Sequence, residues 1–110
     1  MPHDSLGEFE KLVMLAILRL SRNAYGAAII EELDARAGRQ ATPGAVYVAL
    51  RRLEKKGMVT SRLGEPTPAR GGRPKRYFQV EKDGVEALRR AQAEWAALAE
   101  GLDPVLEGEA

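Results

Sequence analysis

Cysteine is absent from this 110-residue chain, and histidine occurs once, as His3. Disulfide bonds and thiolate chemistry are therefore excluded, and the ligands of an ordinary zinc site are missing. No apolar run reaches the roughly 20 residues that a membrane-spanning helix needs. The first ten residues, MPHDSLGEFE, lack the basic and apolar segments of a signal peptide. We therefore expect a cytoplasmic protein with no metal, no cofactor and no catalytic site.

The overall charge is nearly balanced, with 17 lysine and arginine residues against 16 aspartate and glutamate residues. Along the chain, however, the charge is segregated. Residues 51–76 contain nine basic and two acidic side chains, whereas residues 81–110 contain three basic and eight acidic ones. A single basic run is usually just solvated surface, but so dense a run in an otherwise acidic chain favours binding of a polyanion.

Two helices are predicted at the start of the chain. Over Ser5–Leu20, apolar residues recur at three- and four-residue steps, which is the period of an amphipathic helix. Leu15 and Leu18 widen this apolar stripe beyond what a small core needs, which suggests a second packing partner. A second helix is predicted over Tyr25–Arg36, and Gly38 suits the left-handed backbone that ends a helix.

The third predicted helix, Pro43–Lys56, has the clearest boundaries. Thr42 is a good N-cap, proline is well tolerated at the first helical position, and Gly57 follows the last turn. The inner face of this helix is expected to consist of Val46, Leu50 and Leu53. Its outer face is expected to consist of Gly44, Val48, Arg51 and Lys55, flanked by Tyr47 and Arg52.

After Gly57 the period changes to two, which predicts a hairpin of strands 59–63 and 77–80. The segment between the strands, Gly64–Pro74, contains three glycines and three prolines and is predicted to be a loop. A last helix is predicted from Asp83 to Glu100. The positions in and just after it that follow a coiled-coil-like spacing are Val85, Leu88, Gln92, Trp95, Ala99 and Leu102.

This order predicts a mainly α fold with a small β-hairpin: a winged helix-turn-helix domain over 1–81, a dimerisation helix over 82–102 and a flexible tail over 103–110. In such a domain the third helix enters the major groove of duplex DNA. Tyr47 is suited to a phosphate, Arg51 or Arg52 to a guanine edge, and Val48 to a thymine methyl group. The hairpin with its loop is the wing of such a domain. It is expected to contact DNA through Arg70, Gly71, Gly72, Arg73, Lys75 and Arg76.

A homodimer is expected because a domain of about 75 residues is only marginally stable alone. The residues assigned to the dimer interface are Leu6, Phe9, Val13, Val85, Leu88, Gln92, Trp95, Ala99 and Leu102. Paired Trp95 rings near the two-fold axis could bind a small aromatic or hydrophobic effector. The alternative is that Trp95 is ordinary dimer core.

Five segments follow one another along the chain: LGEFE at residues 6–10, Tyr25-Gly26, TPGAVY at 42–47, LRRLEKKG at 50–57 and RGGRPKRYF at 70–78. In this order they resemble the PadR family of bacterial transcriptional regulators. The resemblance implies a homodimeric repressor of the short subtype that reads a palindromic operator, with Tyr25, Thr42, Pro43, Gly44, Tyr47 and Arg51 among the DNA-binding residues. Where the family often has threonine before the last helix, this chain has Glu81-Lys82-Asp83, so we expect Asp83 to be the cap.

The sequence is also compatible with other functions. A winged helix can contact RNA or another protein instead of an operator, since a fold does not determine its partner. The hypothesis of an enzyme has little support, because Gly71-Gly72 leads into a strand rather than into the helix that a phosphate-binding loop requires.

Overall fold

The computed structural model describes residues 6–65 and 73–108 of the chain. The helices are α1 (Glu8–Leu20), α2 (Gly26–Ala37), α3 (Pro43–Lys55), α4 (Lys82–Ala99) and α5 (Asp103–Leu106), with a 3-10 turn at Ser21–Asn23. The strands are β1 (Val59–Leu63) and β2 (Arg76–Val80), which pair antiparallel. This order confirms the predicted fold class, a mostly helical chain with one hairpin in a winged helix-turn-helix arrangement.

The helix boundaries differ from the predictions by a few residues. α1 begins at Glu8 rather than Ser5, because the Gly7 amide donates to Glu10 Oε1 at 2.8 Å and fixes the first turn there. α2 begins at Gly26, since Tyr25 is extended. The glycine predicted to end α2, Gly38, adopts the left-handed backbone with φ of 61°.

The expected cap of the last helix is wrong. α4 begins at Lys82, and its N-cap is Glu81 rather than Asp83. The Glu81 carboxylate accepts hydrogen bonds from Thr60 Oγ1 at 2.6 Å and Gln79 Nε2 at 3.0 Å. These bonds to the hairpin hold residue 81 in an extended conformation, so the helix starts directly after it.

The core lies between α1, α2, α3 and one face of the hairpin, and we call this unit, together with the hairpin itself, the head. The inward residues predicted for α3, Val46, Leu50 and Leu53, are fully buried. Ile29 and Leu33 of α2 are also buried, and Phe78 contributes an aromatic ring to the core from β2.

The hairpin is joined to the start of α2 by its backbone. The Phe78 amide donates to the Ala24 carbonyl at 2.8 Å, and Tyr25 forms an antiparallel bridge with Tyr77. The short stretch before α2 thus extends the two-stranded sheet by one bridge. The two strands, which we call the wing together with the residues connecting them, are therefore held next to the helix-turn-helix unit.

α4 starts against the head and then leaves it. Gly84 makes the close approach possible, because a Cβ atom there would lie 2.5 Å from the Met58 carbonyl oxygen and 2.7 Å from Val80 Cγ1. Ala87 is the last fully buried residue of this helix. α5 lies within the stretch predicted to be a flexible tail, and the mobility of that stretch stays a prediction. No helix in the two described ranges is long and apolar enough to cross a membrane.

One ion pair in the head is largely shielded from water. Lys56 Nζ, just after α3, lies 2.7 Å from Glu10 Oε1 of α1, and Glu10 is only 7% exposed. Burial raises the pKa of the Glu10 carboxyl, but hydrogen bonds from Lys56 and the Gly7 amide, with the charges of Lys56 and Arg52, outweigh it and hold that pKa below its ordinary value. The pair links the first turn of α1 to the end of α3.

We expect Lys56→Met to lower the free energy of unfolding by about 1.5–3 kcal/mol, because the buried Glu10 carboxylate loses its charged hydrogen-bond donor. Because folding lowers the pKa of Glu10, its contribution to stability is present above the pKa of an unfolded glutamate, roughly 4.3. That contribution is lost as the pH falls through the folded value. Glu10→Gln should therefore flatten the acid limb of the stability curve.

Urea unfolding at several pH values measures both effects. The matched control is Lys55→Met, which removes an exposed lysine one residue away and should leave stability nearly unchanged. Equal losses for Lys55→Met and Lys56→Met would contradict the role of the ion pair.

Candidate nucleic-acid interface

The N-terminus of α3 is built as the sequence predicts. The Ala45 amide donates to Thr42 Oγ1 at 3.1 Å, and Pro43 occupies the first helical position. A Cβ atom on Gly44 would meet nothing within 4 Å, so this end of the helix is open to an approaching ligand. The positive end of the helix dipole favours a phosphate at such a position.

Thr42→Ala should reduce the free energy of unfolding by about 1 kcal/mol, because the Ala45 amide loses its capping oxygen. In a small domain this corresponds to a fall in Tm of roughly 4–8 °C. Thermal unfolding followed by circular dichroism measures the change. Thr42→Ser keeps the hydroxyl and should retain most of the stability; if it falls as far as Thr42→Ala, the cap is not the cause.

The outer side of α3 presents a continuous exposed surface, which we call the recognition face. It consists of Gly44, Tyr47, Val48, Arg51 and Lys55, with Arg52 alongside, and all six are exposed. The opposite side of the same helix is buried in the core, so the helix is fixed to the head and cannot turn this surface inward. The predicted division into inner and outer residues is therefore confirmed.

The wing carries basic side chains that lie on aromatic rings or donate to the hairpin. Lys75 Nζ is 3.8 Å from the ring centroid of Tyr25, and the Arg62 guanidinium is 5.0 Å from that of Tyr77. Arg76 Nη1 donates to Ser61 Oγ at 3.1 Å. These contacts order long cationic side chains at the base of the wing.

Arg73 is another wing residue predicted to contact DNA, and it is exposed just before β2. The prediction for Arg70, Gly71 and Gly72 lies outside the described residues. Arg62 was not assigned to the interface from the sequence, although its place in the basic segment 51–76 could have indicated it.

The expected dimer residues fall into three groups. Leu6, Phe9 and Leu88 are partly buried against the head core, and Val85 and Ala99 are partly exposed. Gln92, Trp95 and Leu102 are exposed, Trp95 to 67%. The assignment of Val13 is corrected, because this side chain has no exposed surface and packs entirely within the core of its own head.

An exposed apolar cluster lies where α4 meets α5. It consists of Trp95, Leu98, Leu102 and Leu106, which line a cleft of about 410 Å³ together with Ala91, Glu94, Ala99 and Lys11. Leu98 is 82% exposed and was missed from the sequence. Its spacing of three residues from Trp95 and four from Leu102 could have indicated it.

Acidic side chains in the described part of the chain do not gather into a metal site. No three histidine, cysteine, aspartate or glutamate residues within 6–65 and 73–108 are close enough to hold one ion.

Comparison with known proteins agrees with the geometry. The profile of the transcriptional regulator PadR-like family matches residues 14–90. A crystal structure of a PadR family transcriptional regulator from Eggerthella lenta is 32% identical, with a TM-score of 0.67 over 91% of this chain and 87% of that one. A PadR-like transcription factor from Bacteroides fragilis is 27% identical, with a TM-score of 0.72 over 88% of each chain.

A relative of uncharacterized function from Lysinibacillus sphaericus is 29% identical over 104 residues, which cover 93% of this chain and 91% of that protein. The matched region 14–90 includes α2, α3, both strands and the part of α4 that packs on the head. The chain belongs to the PadR-like family of transcriptional regulators.

Proposed function

We propose that the protein is a cytoplasmic, homodimeric repressor that binds an inverted-repeat operator in duplex DNA. The observation that carries this proposal is the recognition face of α3. Tyr47, Val48 and Arg51 project from a helix whose other side is buried, which is the arrangement that inserts into a major groove. Each head would read one half-site.

The side chains of the recognition face are suited to contact both the base edges and the phosphates of a duplex. Arg51 and Arg52 supply planar, charged donors for guanine edges or phosphates, and Val48 supplies an apolar contact for a thymine methyl group. Gly44 lets the start of α3 approach the DNA backbone closely. Lys75 and Arg73 extend the positive charge to the wing, where it would follow the neighbouring phosphates.

A homodimer is proposed because the apolar cluster has too little cover within its own chain. Trp95, Leu98, Leu102 and Leu106 all expose roughly half or more of their surface. Contiguous apolar side chains of this size on a small protein usually mark an interface. A two-fold dimer would cover the cluster with a second copy of the chain and place the two α3 helices about one DNA turn apart, roughly 34 Å.

The complementary surface is offered by α1. Leu15 and Leu18 are exposed beside Leu12 in a groove that α2 borders. Arg19 and Arg36 stand at the rim and share a single carboxylate, that of Glu32, which leaves the rim net positive. The acidic segment 94–107 of a second chain, with its apolar cluster, matches this groove in both charge and polarity.

We propose a small aromatic or hydrophobic molecule as the effector. The cleft beside Trp95 has room for such a molecule, and its walls are mostly apolar, with the charged groups of Lys11 and Glu94 at the edge. Quenching of the single tryptophan by planar aromatic compounds would support binding there. Loss of that quenching in a Leu98→Asp variant, which changes a wall of the cleft, would support the same site.

α4 connects the effector cleft, at its last turns, to α3, at its start. The Glu81 amide, at the start of α4, donates to the Met58 carbonyl at 2.8 Å, and the Met58 amide donates to the Leu53 carbonyl at 3.0 Å. A change in the angle of α4 would therefore move the C-terminal end of α3. This is how an effector would alter the spacing of two heads and release DNA.

Selection of bound sequences from a random duplex pool tests the proposal. Enrichment of an inverted repeat, with affinity that falls steeply as salt rises, is the expected result. Equal binding of all duplexes would contradict sequence-specific regulation. Preference for RNA, or no nucleic acid binding at low salt, would favour the alternative of a winged helix that contacts RNA or another protein.

A further inference from the structure

Three parts of the head meet at Tyr25 and Gly26. Tyr25 is extended immediately before α2, and Gly26 is the buried first residue of that helix. α3 brings Tyr47 to this corner, and the wing brings Lys75 and Tyr77. We propose that Tyr25 and Gly26 are positioning residues, which set the place of Tyr47 and of the wing relative to each other on DNA. This inference rests on the proposed function.

Gly26 provides the space in which the Tyr47 hydroxyl lies. A Cβ atom on Gly26 would overlap the hydroxyl oxygen of Tyr47 and lie 2.9 Å from its Cζ atom. The backbone of Gly26 is not left-handed, so glycine is needed here for space rather than for conformation. One edge of the Tyr47 ring is thus held against α2, while the side chain remains 47% exposed on the recognition face.

Tyr25 holds the wing on the other side of the corner. Its ring meets that of Tyr77 edge to face, with centroids 5.7 Å apart and planes at 74°. The Lys75 ammonium lies 3.8 Å from the centroid of the Tyr25 ring. With the backbone bond from the Phe78 amide to the Ala24 carbonyl, these contacts fix the base of the wing to the start of α2.

Tyr25 and Gly26, which make these two contacts, are consecutive residues at the start of α2. Gly26 positions the Tyr47 side chain for a DNA groove. Tyr25 positions the Lys75 ammonium for the phosphate backbone beside that groove. The offset between the recognition face and the wing is therefore fixed within the head before DNA is bound. Tyr25 is half-buried in this arrangement, which fits a role beneath the DNA-binding surface rather than as a contact of its own.

A double-mutant cycle on the full-length chain tests the Gly26 contact. Gly26→Ala, Tyr47→Ala and the double variant are titrated with the selected operator duplex. We expect Gly26→Ala to weaken binding about tenfold, the effect of one misplaced groove contact. In the Tyr47→Ala background the same change should cost less than about twofold, since coupled sites are not additive. Fully additive losses would overturn the inference.

Two variants of Tyr25 test the wing contact. Tyr25→Phe keeps the ring and should keep the salt slope of operator binding, whatever its affinity. Tyr25→Leu removes the ring contacts with Lys75 and Tyr77, and the slope of log affinity against log salt should fall by about 0.9, the value for one phosphate contact. An unchanged slope for Tyr25→Leu, or an equal loss in Tyr25→Phe, would overturn the inference.

A measurement without DNA separates this inference from the proposed function. Hydrogen exchange at the Phe78 amide should quicken in Tyr25→Leu and stay slow in Tyr25→Phe, because the ring contacts protect the bond to Ala24. If the protein binds no duplex, the proposed function fails and the exchange rates still decide the structural role of Tyr25. Unchanged exchange in Tyr25→Leu would overturn that role. Should Gly26→Ala fail to fold, as judged by circular dichroism, the Tyr25 pair decides alone.

Discussion

Leu98→Asp is expected to convert the protein to a monomer. The side chain is 82% exposed, so an aspartate costs the folded monomer almost nothing. In a dimer it would place an unpaired charge in the centre of the apolar cluster, and the dissociation constant should rise at least about 100-fold. Operator affinity should then fall by roughly 10²–10⁴, because the two heads no longer bind as a linked pair. Sedimentation and operator titration measure the two effects.

The matched control is Ala93→Asp, which adds the same charge to α4 at an exposed position that does not line the cleft. It should remain dimeric. Leu88 is a less suitable test site because it also packs against the head core. A Leu98→Asp variant that sediments as a dimer would show that the apolar cluster is not the interface.

Arg51→Ala should weaken operator binding by about 1–3 kcal/mol, which is roughly 5- to 150-fold, if its guanidinium reads a guanine edge. Arg51 is exposed in the middle of the recognition face, on a helix whose buried side fixes its orientation. The variant should also lose discrimination at one base position of each half-site. Competition between the operator and single-base variants of it measures both changes.

Arg90→Ala is the control for net charge, since Arg90 is exposed on α4 and belongs to neither the recognition face nor the wing. It should reduce binding only slightly and equally for all duplexes. A loss in Arg51→Ala that is the same for every duplex would show that Arg51 contacts phosphate. No loss at all would contradict the insertion of α3 into the groove.

Much of the fold was predictable because its determinants are local. The cap at Thr42, the glycines at 38 and 57, and the change of period after residue 57 act within a few residues of themselves. They place α2, α3 and the hairpin correctly. The recognition face followed from the same reasoning, since the buried side of α3 also defines the exposed side.

The errors concern contacts between distant parts of the chain. An apolar stripe shows which face of a helix is buried, but not whether that face packs against the same chain or against a partner. Val13 was assigned to the dimer interface but packs in the core of its own chain. The cap of α4 depends on Thr60, which is 21 residues away from Glu81. The pairing of Lys56 with Glu10 spans 46 residues and has no local pattern.

The segregation of charge has a consequence for the speed of DNA binding. The basic segment lies in α3 and the wing, while residues 100–108, beyond the end of α4, carry three acidic and no basic side chains, in a molecule 55 Å long. The chain therefore has an electric dipole moment, and the field of a nearby duplex exerts a torque on it. We expect this torque to turn the wing towards DNA during each encounter at low ionic strength. The acidic residues after α4 would thus accelerate association without touching the DNA.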